Sequence, residues 1–371
     1  MHRRIGLRAT LQAKITLPAV PALVDDYVAL IAQTLAVMGR PLNEARRALL
    51  VASIREAVSA SWQISPHGSI VLRLDADGSG HGTFGADVVP SPSSLQQQYD
   101  LWIQTREPPF FGTFPDARLV DLLATLGPPS ALHVLDVGAG TGRNTLALAR
   151  EGTRITFIEP TERFARDVLA GAADESLPVE RLLIDFLAAE PVLENRYDLL
   201  LLSEVVSHFR TRDELARLFS RAVEAVRPGG HLLCNMFLAA GGYEPDELAR
   251  EVAQSAWSTV FTRRELLEAS AGTPFTLVAD DPVKAYEQAN LPPEGWPPRT
   301  WYAEWATGRD VFDLPEARSP IELRWLVFRR DRLRRAEARS PLVAAPVAPA
   351  RCLVIQAFTK STRAILPSFI V

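Results

Sequence analysis

In the middle of the 371-residue chain, short apolar runs alternate with stretches in which apolar residues recur at the spacing of one helix face. Strands that are buried on both faces read as continuous apolar runs, and strands that alternate with helices pair mainly in parallel. Two more strand patterns follow after a longer gap. The pattern predicts an α/β fold with a mostly parallel sheet of seven strands, at 133–137, 154–159, 180–185, 197–203, 231–237, 276–280 and 321–329.

Three further segments flank or interrupt this sheet. Residues 1–95 combine helical and strand patterns and end in a Pro/Ser-rich stretch, which predicts a small N-terminal α+β extension. Residues 96–330 form the main domain, and a Pro- and Trp-rich insertion occupies 281–320. The Arg/Glu-rich and Pro/Ala-rich residues 331–371 are interpreted as a tail that is either disordered or weakly docked.

Composition excludes several classes of function. The net charge is −4, so the basic field that phosphate-driven nucleic-acid binding requires is absent. Seven arginines between 324 and 339 are interpreted as a solvated face rather than a nucleic-acid patch. The two cysteines match no metal-ligand spacing, and no run approaches the roughly 20 apolar residues of a membrane helix. We expect a cytoplasmic protein without a metal, membrane or nucleic-acid partner, and the sequence leaves its oligomeric state open.

A glycine-rich turn follows the first strand of the predicted sheet. It has the pattern D-x-G-x-G-x-G, formed by Asp136, Gly138, Gly140 and Gly142. Glycines at a strand-to-helix turn let a ligand approach the backbone closely. A dinucleotide fingerprint needs a third glycine where Arg143 stands, and a phosphate-binding loop needs a lysine that this turn lacks. The turn therefore favours a ligand of another kind.

Four further motifs follow the glycine turn. Glu159 ends the second strand, where a carboxylate can accept hydrogen bonds from both hydroxyls of a ribose. Asp185 and Phe186 end the third strand, residues 203–209 follow the fourth, and Arg-Pro-Gly-Gly at 227–230 precedes the fifth. In order and spacing, the five motifs resemble those of class I S-adenosylmethionine-dependent methyltransferases of the small-molecule type, from about residue 96 to residue 330.

This resemblance implies a Rossmann-like fold and S-adenosyl-L-methionine as the cofactor. It implies that Asp185 binds the adenine amino group, that Phe186 covers the ring, and that the loop from Ser203 lies beside the methionine moiety. The residues expected to contact the cofactor are Tyr99, Trp102, Arg106, Asp136, Gly138, Ala139, Gly140, Gly142, Arg143, Asn144, Glu159, Pro160, Asp185, Phe186, Ser203 and Glu204.

The aromatic segment upstream of the sheet has two interpretations. In many members of this family such a segment folds over the cofactor, so that Tyr99 and Trp102 would flank the sulfonium and Arg106 would pair with the carboxylate. The alternative is that these aromatic side chains are core between the two domains.

Two side chains are candidates for catalysis. Glu204 and His208 are four residues apart and share a face if their loop is helical. His208 is either a base that titrates near neutral pH or a packing residue beside Phe209. Glu204 is either catalytic or a partner of the cofactor's amino group.

The insertion is expected to shape the acceptor pocket. With residues 235–243, its aromatic side chains would wall that pocket, whereas a surface cap without a ligand is the alternative. We predict methyl transfer to an oxygen, nitrogen or carbon atom of a small molecule. Two other hypotheses remain open: a protein or peptide methyltransferase, and a non-catalytic adenosylmethionine-binding regulatory protein.

Overall fold

The computed structural model describes residues 11–37, 39–76 and 84–332. The tail predicted from residue 331 lies outside this part of the chain except for its first two residues, and the arginine-rich run is described as far as Arg332. Within the described ranges, no helix is long and apolar enough to cross a membrane.

The N-terminal extension has a sheet and a core of its own. Its strands pair antiparallel in the order β1-β2-β3, and Ile31 and Ile54 of its two helices are fully buried. The first strand was not predicted, because its alternation of Ala13, Ile15 and Leu17 with polar residues is short and follows a charged amino end. The elements are β1 (Leu11–Pro18), α1 (Val24–Val37), α2 (Glu44–Ile64), β2 (Ser69–Ala76) and β3 (Phe84–Ser91).

The main sheet confirms the predicted mostly parallel α/β architecture. Seven strands lie in the order β10-β11-β8-β7-β4-β5-β6, and β11 runs antiparallel to both its neighbours. A two-residue strand that was not predicted, β9, pairs with β8 and brings the sheet to eight strands. The strands are β4 (His133–Val137), β5 (Arg154–Ile158), β6 (Val179–Arg181), β7 (Tyr197–Leu202), β8 (Val226–Ala239), β9 (Val260–Phe261), β10 (Phe275–Pro282) and β11 (Ile321–Arg330).

Helices cover both faces of this sheet, so its central strands are buried on both sides. All four leucines of β7, from Leu199 to Leu202, are inaccessible to solvent. The described helices of the main domain are α3 (Leu95–Thr105), α4 (Ala117–Leu126), α5 (Arg143–Arg150), α6 (Glu162–Asp174), α7 (Arg212–Ala225), α8 (Glu247–Ser255), α9 (Arg263–Ser270), α10 (Val283–Asn290) and α11 (Tyr302–Trp305).

The third strand corrects the expected boundaries. The run at 180–185 was expected to be a full strand, but β6 has only three residues, because it is the edge of the sheet and its chain leaves the sheet early. Leu183 is 75% exposed instead of buried. An apolar run at an edge carries the same sequence signal as a central strand, although only one of its sides can pair.

The strand order fixes where a ligand can bind. From β4 the chain moves outward through β5 and β6 and then returns to β7 on the other side of β4. The loops that leave β4 and β7 therefore diverge at a switch point, and ligands of open α/β sheets bind there.

Candidate active site

A cavity of about 790 Å³ opens at the carboxyl edge of the sheet, at this switch point. Its volume falls within the range of small-molecule sites. Its walls come from the loops after β4, β5, β6 and β7, from α3 and the segment that follows, from the loop after α8, and from the insertion between β10 and β11. Of the residues predicted to contact the cofactor, all except Gly142 line this cavity.

The glycine turn is held in a conformation that side chains disfavour. Gly138 and Gly140 have φ angles of +75° and +55°. A Cβ on Gly138 would clash with the Val205 side chain, and a Cβ on Gly140 would lie 3.2 Å from the Phe111 ring. Gly142 begins α5 with φ +87°, and its close neighbours are side chains of the helical layer. A side chain at position 142 would therefore be strained, both by the left-handed backbone conformation and by contact with these neighbours.

Glu159 fixes the turn while lining the cavity. One carboxylate oxygen accepts the Gly140 N–H at 2.8 Å, and the other accepts the Thr161 N–H at 2.7 Å. The residue is 7% exposed. Burial raises the pKa of Glu159, and the hydrogen bonds from Thr161 and Gly140 oppose this shift. Each oxygen keeps a second acceptor position, so the carboxylate can also accept hydrogen bonds from a ligand.

Asp136 lies at the bottom of the cavity, at the end of β4. Its Oδ2 accepts the Thr145 hydroxyl at 2.6 Å. Burial raises the pKa of Asp136 to about 7, because the ionised carboxylate has lost its hydration. The contact ties the end of the strand to the first turn of α5.

A buried ionic network joins the first and fourth loops of the sheet. The Arg143 guanidinium contacts Asp116 at 2.8 Å and Glu204 at 2.7 Å. Asp116 also accepts the Ser203 hydroxyl at 2.7 Å and the Asn144 side-chain amide at 2.8 Å. Arg143, Asn144 and Ser203 were expected to contact the cofactor, and here their polar groups all bind Asp116 while they line the cavity.

Glu204 is held in a strained backbone conformation within this network. Its φ is +59°, which is costly for a residue with a side chain. Its N–H donates to the buried Asn235 at 2.7 Å. Burial raises the pKa of Glu204 to about 7, and the charge of Arg143 opposes the rise. Strain that several contacts maintain is typical of a functional loop.

The upstream aromatic residues reach the cavity from α3. This helix begins at a capping box, in which the Ser94 hydroxyl accepts the Gln97 N–H and the Gln97 side chain accepts the Ser94 N–H. Tyr99 and Trp102, on α3, pack edge to face at 5.6 Å. The Arg106 guanidinium lies 4.0 Å from the centre of the Trp102 ring.

His208 lies against this aromatic segment. Its Nε2 is 3.2 Å from the Tyr99 hydroxyl, whereas its buried Nδ1 has no hydrogen-bond partner among the described residues. Burial lowers the pKa of His208 to about 3, and nearby His67 lowers it further. The side chain is therefore uncharged at neutral pH. It lies on a short 3₁₀ turn after Glu204, and both side chains line the cavity.

Asp185 and Phe186 line another side of the cavity. Asp185 is exposed, and its Oδ1 accepts the Leu187 N–H at 2.9 Å. Phe186 is buried. The carboxylate and the ring therefore lie at the same edge of the sheet as Glu159, because β5 and β6 are parallel.

The N-terminal extension contributes a contact that the sequence analysis did not predict. His67 stacks on Trp257 with ring centres 3.9 Å apart, and its Nδ1 lies 3.4 Å from the Ser255 carbonyl oxygen. Trp257 follows α8 with φ +60° and packs on Trp102 at 5.1 Å. No local signal marks His67 or Trp257, because they are distant in sequence and meet only in the folded chain.

The insertion between β10 and β11 also lines the cavity. Its lining residues are Arg299, Trp301, Trp305 and Asp310. The Trp305 indole donates to the Trp257 carbonyl oxygen at 3.1 Å, and this joins the insertion to the loop after α8.

The insertion is also anchored beneath the site by Glu287, on α10. This buried carboxylate accepts the N–H groups of Ala117 and Arg118 at 2.8 and 3.2 Å, at the start of α4. It also accepts the Trp325 indole N–H at 2.8 Å. Burial raises the pKa of Glu287, and the neighbouring Asp116 raises it further.

Comparison with known proteins agrees with this architecture. Residues 111–279 match a family model described as a methyltransferase domain. The match begins within the segment between α3 and α4 and ends within β10, so the matched stretch includes the glycine turn and the loops of Glu159, Asp185 and Glu204.

Two curated relatives match a shorter stretch. Ubiquinone biosynthesis O-methyltransferases from Methylobacterium sp. (strain 4-46) and Methylobacterium nodulans are 33% and 34% identical to the chain over 106 and 105 residues. These stretches are 28% of this chain and 40% of each relative. The chain thus spans less than half the length of the curated relatives that it matches.

Among solved structures, a geranyl diphosphate C-methyltransferase from Streptomyces coelicolor A3(2) is similar over 64% of this chain and all of its own. The sequence identity is 14% and the TM-score is 0.48.

Proposed function

We propose that this protein is an S-adenosylmethionine-dependent methyltransferase that acts on a small-molecule acceptor. The observation that carries the proposal is the single cavity at the switch point. It collects the glycine turn, Glu159, Asp185 and Glu204 from four different loops, in the order in which the family motifs occur along the chain. The match to a methyltransferase domain supports the fold, and the residues that line the cavity support the proposed chemistry.

The lining fits adenosylmethionine better than a phosphorylated nucleotide. Among the described residues that line it there is no lysine, and one of the arginines, Arg143, is already paired with two carboxylates. Glu159 and Asp185 add negative charge, which would repel phosphate groups. A nucleoside without phosphate needs hydrogen-bond acceptors for its sugar and base, and both carboxylates have free acceptor positions.

Four residues would hold the cofactor at its two ends. The Glu159 carboxylate would accept hydrogen bonds from the ribose hydroxyls, and Asp185 would accept one from the adenine amino group. Arg106 makes no ion pair among the described residues, so its guanidinium is available for the methionine carboxylate. Tyr99 presents an aromatic surface to the cavity, which favours a neighbouring cation.

When bound, adenosylmethionine supplies a methyl group on a sulfonium sulfur that is already electrophilic. The protein must then align the acceptor atom with that carbon and exclude water. As the new bond to the acceptor forms, the carbon–sulfur bond breaks with its electron pair remaining on sulfur. The proton of an O–H or N–H acceptor must leave to a side chain or to water.

His208 is suited to orient such an acceptor. When its Nε2–H donates to the Tyr99 oxygen, its unpartnered Nδ1 is a hydrogen-bond acceptor. The same burial that keeps His208 uncharged makes the imidazolium unfavourable, so we assign His208 the orientation of the acceptor and not the removal of its proton. Glu204, with a pKa near 7 and a place in the same cavity, is the second candidate for the proton.

A transfer experiment tests the proposed function. The full chain is incubated with adenosylmethionine labelled in its methyl group and with a metabolite extract, and the products are separated by size. We expect the label in small molecules. Label only in macromolecules would instead support a protein or peptide methyltransferase. An absence of transfer despite bound cofactor would support a non-catalytic binding protein.

A further inference from the structure

Tryptophans dominate one side of the cavity. Four of the seven tryptophans of the chain line it: Trp102, Trp257, Trp301 and Trp305. They form a continuous wall, because Trp102 packs on Trp257 at 5.1 Å, the Trp257 carbonyl binds the Trp305 indole, and Trp305 packs on Trp301 at 5.6 Å. Trp102, Trp257 and Trp301 are partly exposed and offer apolar aromatic surface to a ligand, whereas Trp305 is buried and supports them from the core.

This wall lies away from the groups assigned to the cofactor's sugar and base. Glu159 and Asp185 follow β5 and β6, on one side of the switch point. Trp257 and the two tryptophans of the insertion lie between strands on the other side of β4, and Trp102, on α3, packs on Trp257. The tryptophan wall therefore borders the space that remains for the acceptor.

The charged residues of the lining give the cavity a second property besides its aromatic wall. Among the described residues, three arginines line the cavity: Arg106, Arg143 and Arg299. Arg143 is paired with Asp116 and Glu204, and Arg106 is assigned to the cofactor carboxylate. Arg299 is half-buried, and within the described chain it makes no ion pair, although its Nη2 lies 3.5 Å from the Glu107 carbonyl oxygen.

Asp310 is the acidic group of the insertion that also lines the cavity. It is exposed and pairs with none of the lining arginines among the described residues. Burial raises the pKa of Asp310, and the neighbouring Glu304 raises it further. Within the described chain Asp310 makes no ion pair with Arg299, so the Arg299 guanidinium stays available to an anion beside the tryptophan wall.

We propose that the acceptor is a flat aromatic molecule with an anionic group: its rings pack on the tryptophan wall, and its carboxylate, sulfonate or phosphate pairs with Arg299. This inference rests on the proposed function, since it assigns the part of the cavity that the cofactor leaves free.

A pair of fluorescent probes separates the two properties. 1-Anilinonaphthalene-8-sulfonate is an aromatic anion, and N-phenyl-1-naphthylamine has the same rings without the sulfonate. Both are titrated into the full chain saturated with S-adenosylhomocysteine. Because a hydrogen bond to a charged group contributes about 1.5–3 kcal/mol, Arg299→Gln should weaken binding of the anion about 10- to 100-fold and leave the neutral probe within about twofold.

Two further variants make the result specific. Arg299→Lys keeps the charge and should restore most of the affinity for the anion. Arg318→Gln removes an exposed arginine of the same insertion that does not line the cavity, and it should change neither probe. Trp301→Leu should weaken both probes, because each loses part of the wall.

Several results would overturn the inference. These are failure of the anion to bind, equal binding of the anion to wild type and Arg299→Gln, or a loss of S-adenosylhomocysteine affinity in Arg299→Gln. The last result would assign Arg299 to the cofactor. The affinity of the wild type for S-adenosylhomocysteine, measured separately, tests the proposed function, so the two failures are distinguishable.

The transfer experiment gives an independent readout. Small-molecule products that carry the label should bind to an anion-exchange resin at neutral pH and absorb in the near ultraviolet. Label that occurs only in neutral or cationic products would contradict an aromatic anion as the acceptor.

Discussion

Replacing Gly138 with alanine isolates the contact that fixes the glycine turn. Gly138 has φ +75°, and an added Cβ would clash with Val205 Cγ2. The left-handed conformation costs an alanine about 1–2 kcal/mol. Overpacking of one methyl group costs about 1–3 kcal/mol more. We therefore expect Gly138→Ala to lower the free energy of unfolding by about 2–5 kcal/mol.

The chain offers a matched control at Gly152. Its φ is +89°, and a Cβ there would have no atom within 4 Å. Gly152→Ala should therefore show only the conformational cost, about 1–2 kcal/mol. Urea denaturation followed by tryptophan fluorescence measures both variants under the same conditions. The difference between the two losses of unfolding free energy measures the cost of the clash with Val205.

A second substitution removes the clash without changing the backbone. The Cβ of Val205 would lie 3.8 Å from the new methyl group, an ordinary contact, so Val205→Ala leaves space for it. In Gly138→Ala/Val205→Ala the coupling between the two sites should be about 1–3 kcal/mol in the favourable direction. Because Val205 also lines the cavity, Gly138→Ala should weaken S-adenosylhomocysteine binding at least about tenfold, and Gly152→Ala should not. Equal stability of the two single variants would refute this reasoning.

Three other predictions follow from the buried ionisable groups. Glu159→Gln should lower S-adenosylhomocysteine affinity by at least about tenfold in calorimetry, because a charged acceptor of two ribose hydroxyls is lost, and unchanged affinity would remove Glu159 from the site. Glu287→Ala should lower the free energy of unfolding by about 2–5 kcal/mol, because the N–H groups of Ala117, Arg118 and Trp325 lose their acceptor. A loss below about 1 kcal/mol would mean that water replaces the carboxylate as the acceptor. When pH falls from 7 to 5, unfolded wild type takes up a proton at His208 near the usual pKa of 6.5, whereas the folded protein, with a pKa of about 3, does not. The part of the unfolding free energy that depends on neutral His208 is therefore lost as pH falls. From pH 7 to 5, His208→Gln should lose less unfolding free energy than wild type does. Parallel pH profiles of the two proteins in urea denaturation would contradict the low pKa of His208.

The sheet and the glycine turn could be predicted because their signals are local. The run of leucines in β7 requires burial on both faces, and the turn between β4 and α5 requires glycines where φ is positive. The alternation of strands and helices predicts parallel pairing, and parallel pairing of β5 and β6 places Glu159 and Asp185 at one edge of the sheet. The predicted bounds of β4, residues 133–137, agree with the structure to the residue.

The polar network of the site could not be predicted, because its members are distant in sequence. Asp116 carried no predicted role, yet it binds Arg143, Asn144 and Ser203 within one buried cluster. A carboxylate before a helix is common on surfaces, and only the fold shows that this one is buried.

The contribution of the extension was also invisible in the sequence. His67 and Trp257 are 190 residues apart, and they meet because the loop after α2 docks on the end of α8. In the aromatic segment, Tyr99 and Trp102 line the cavity and also pack against Trp257. Their contact with a cofactor stays a prediction.

Calorimetric titration of the full chain with S-adenosylhomocysteine tests the central proposal most directly. We predict heat of binding with one site per chain. Absence of binding in wild type, at protein concentrations of tens of micromolar, would contradict a cofactor site at the switch point and every role assigned from it.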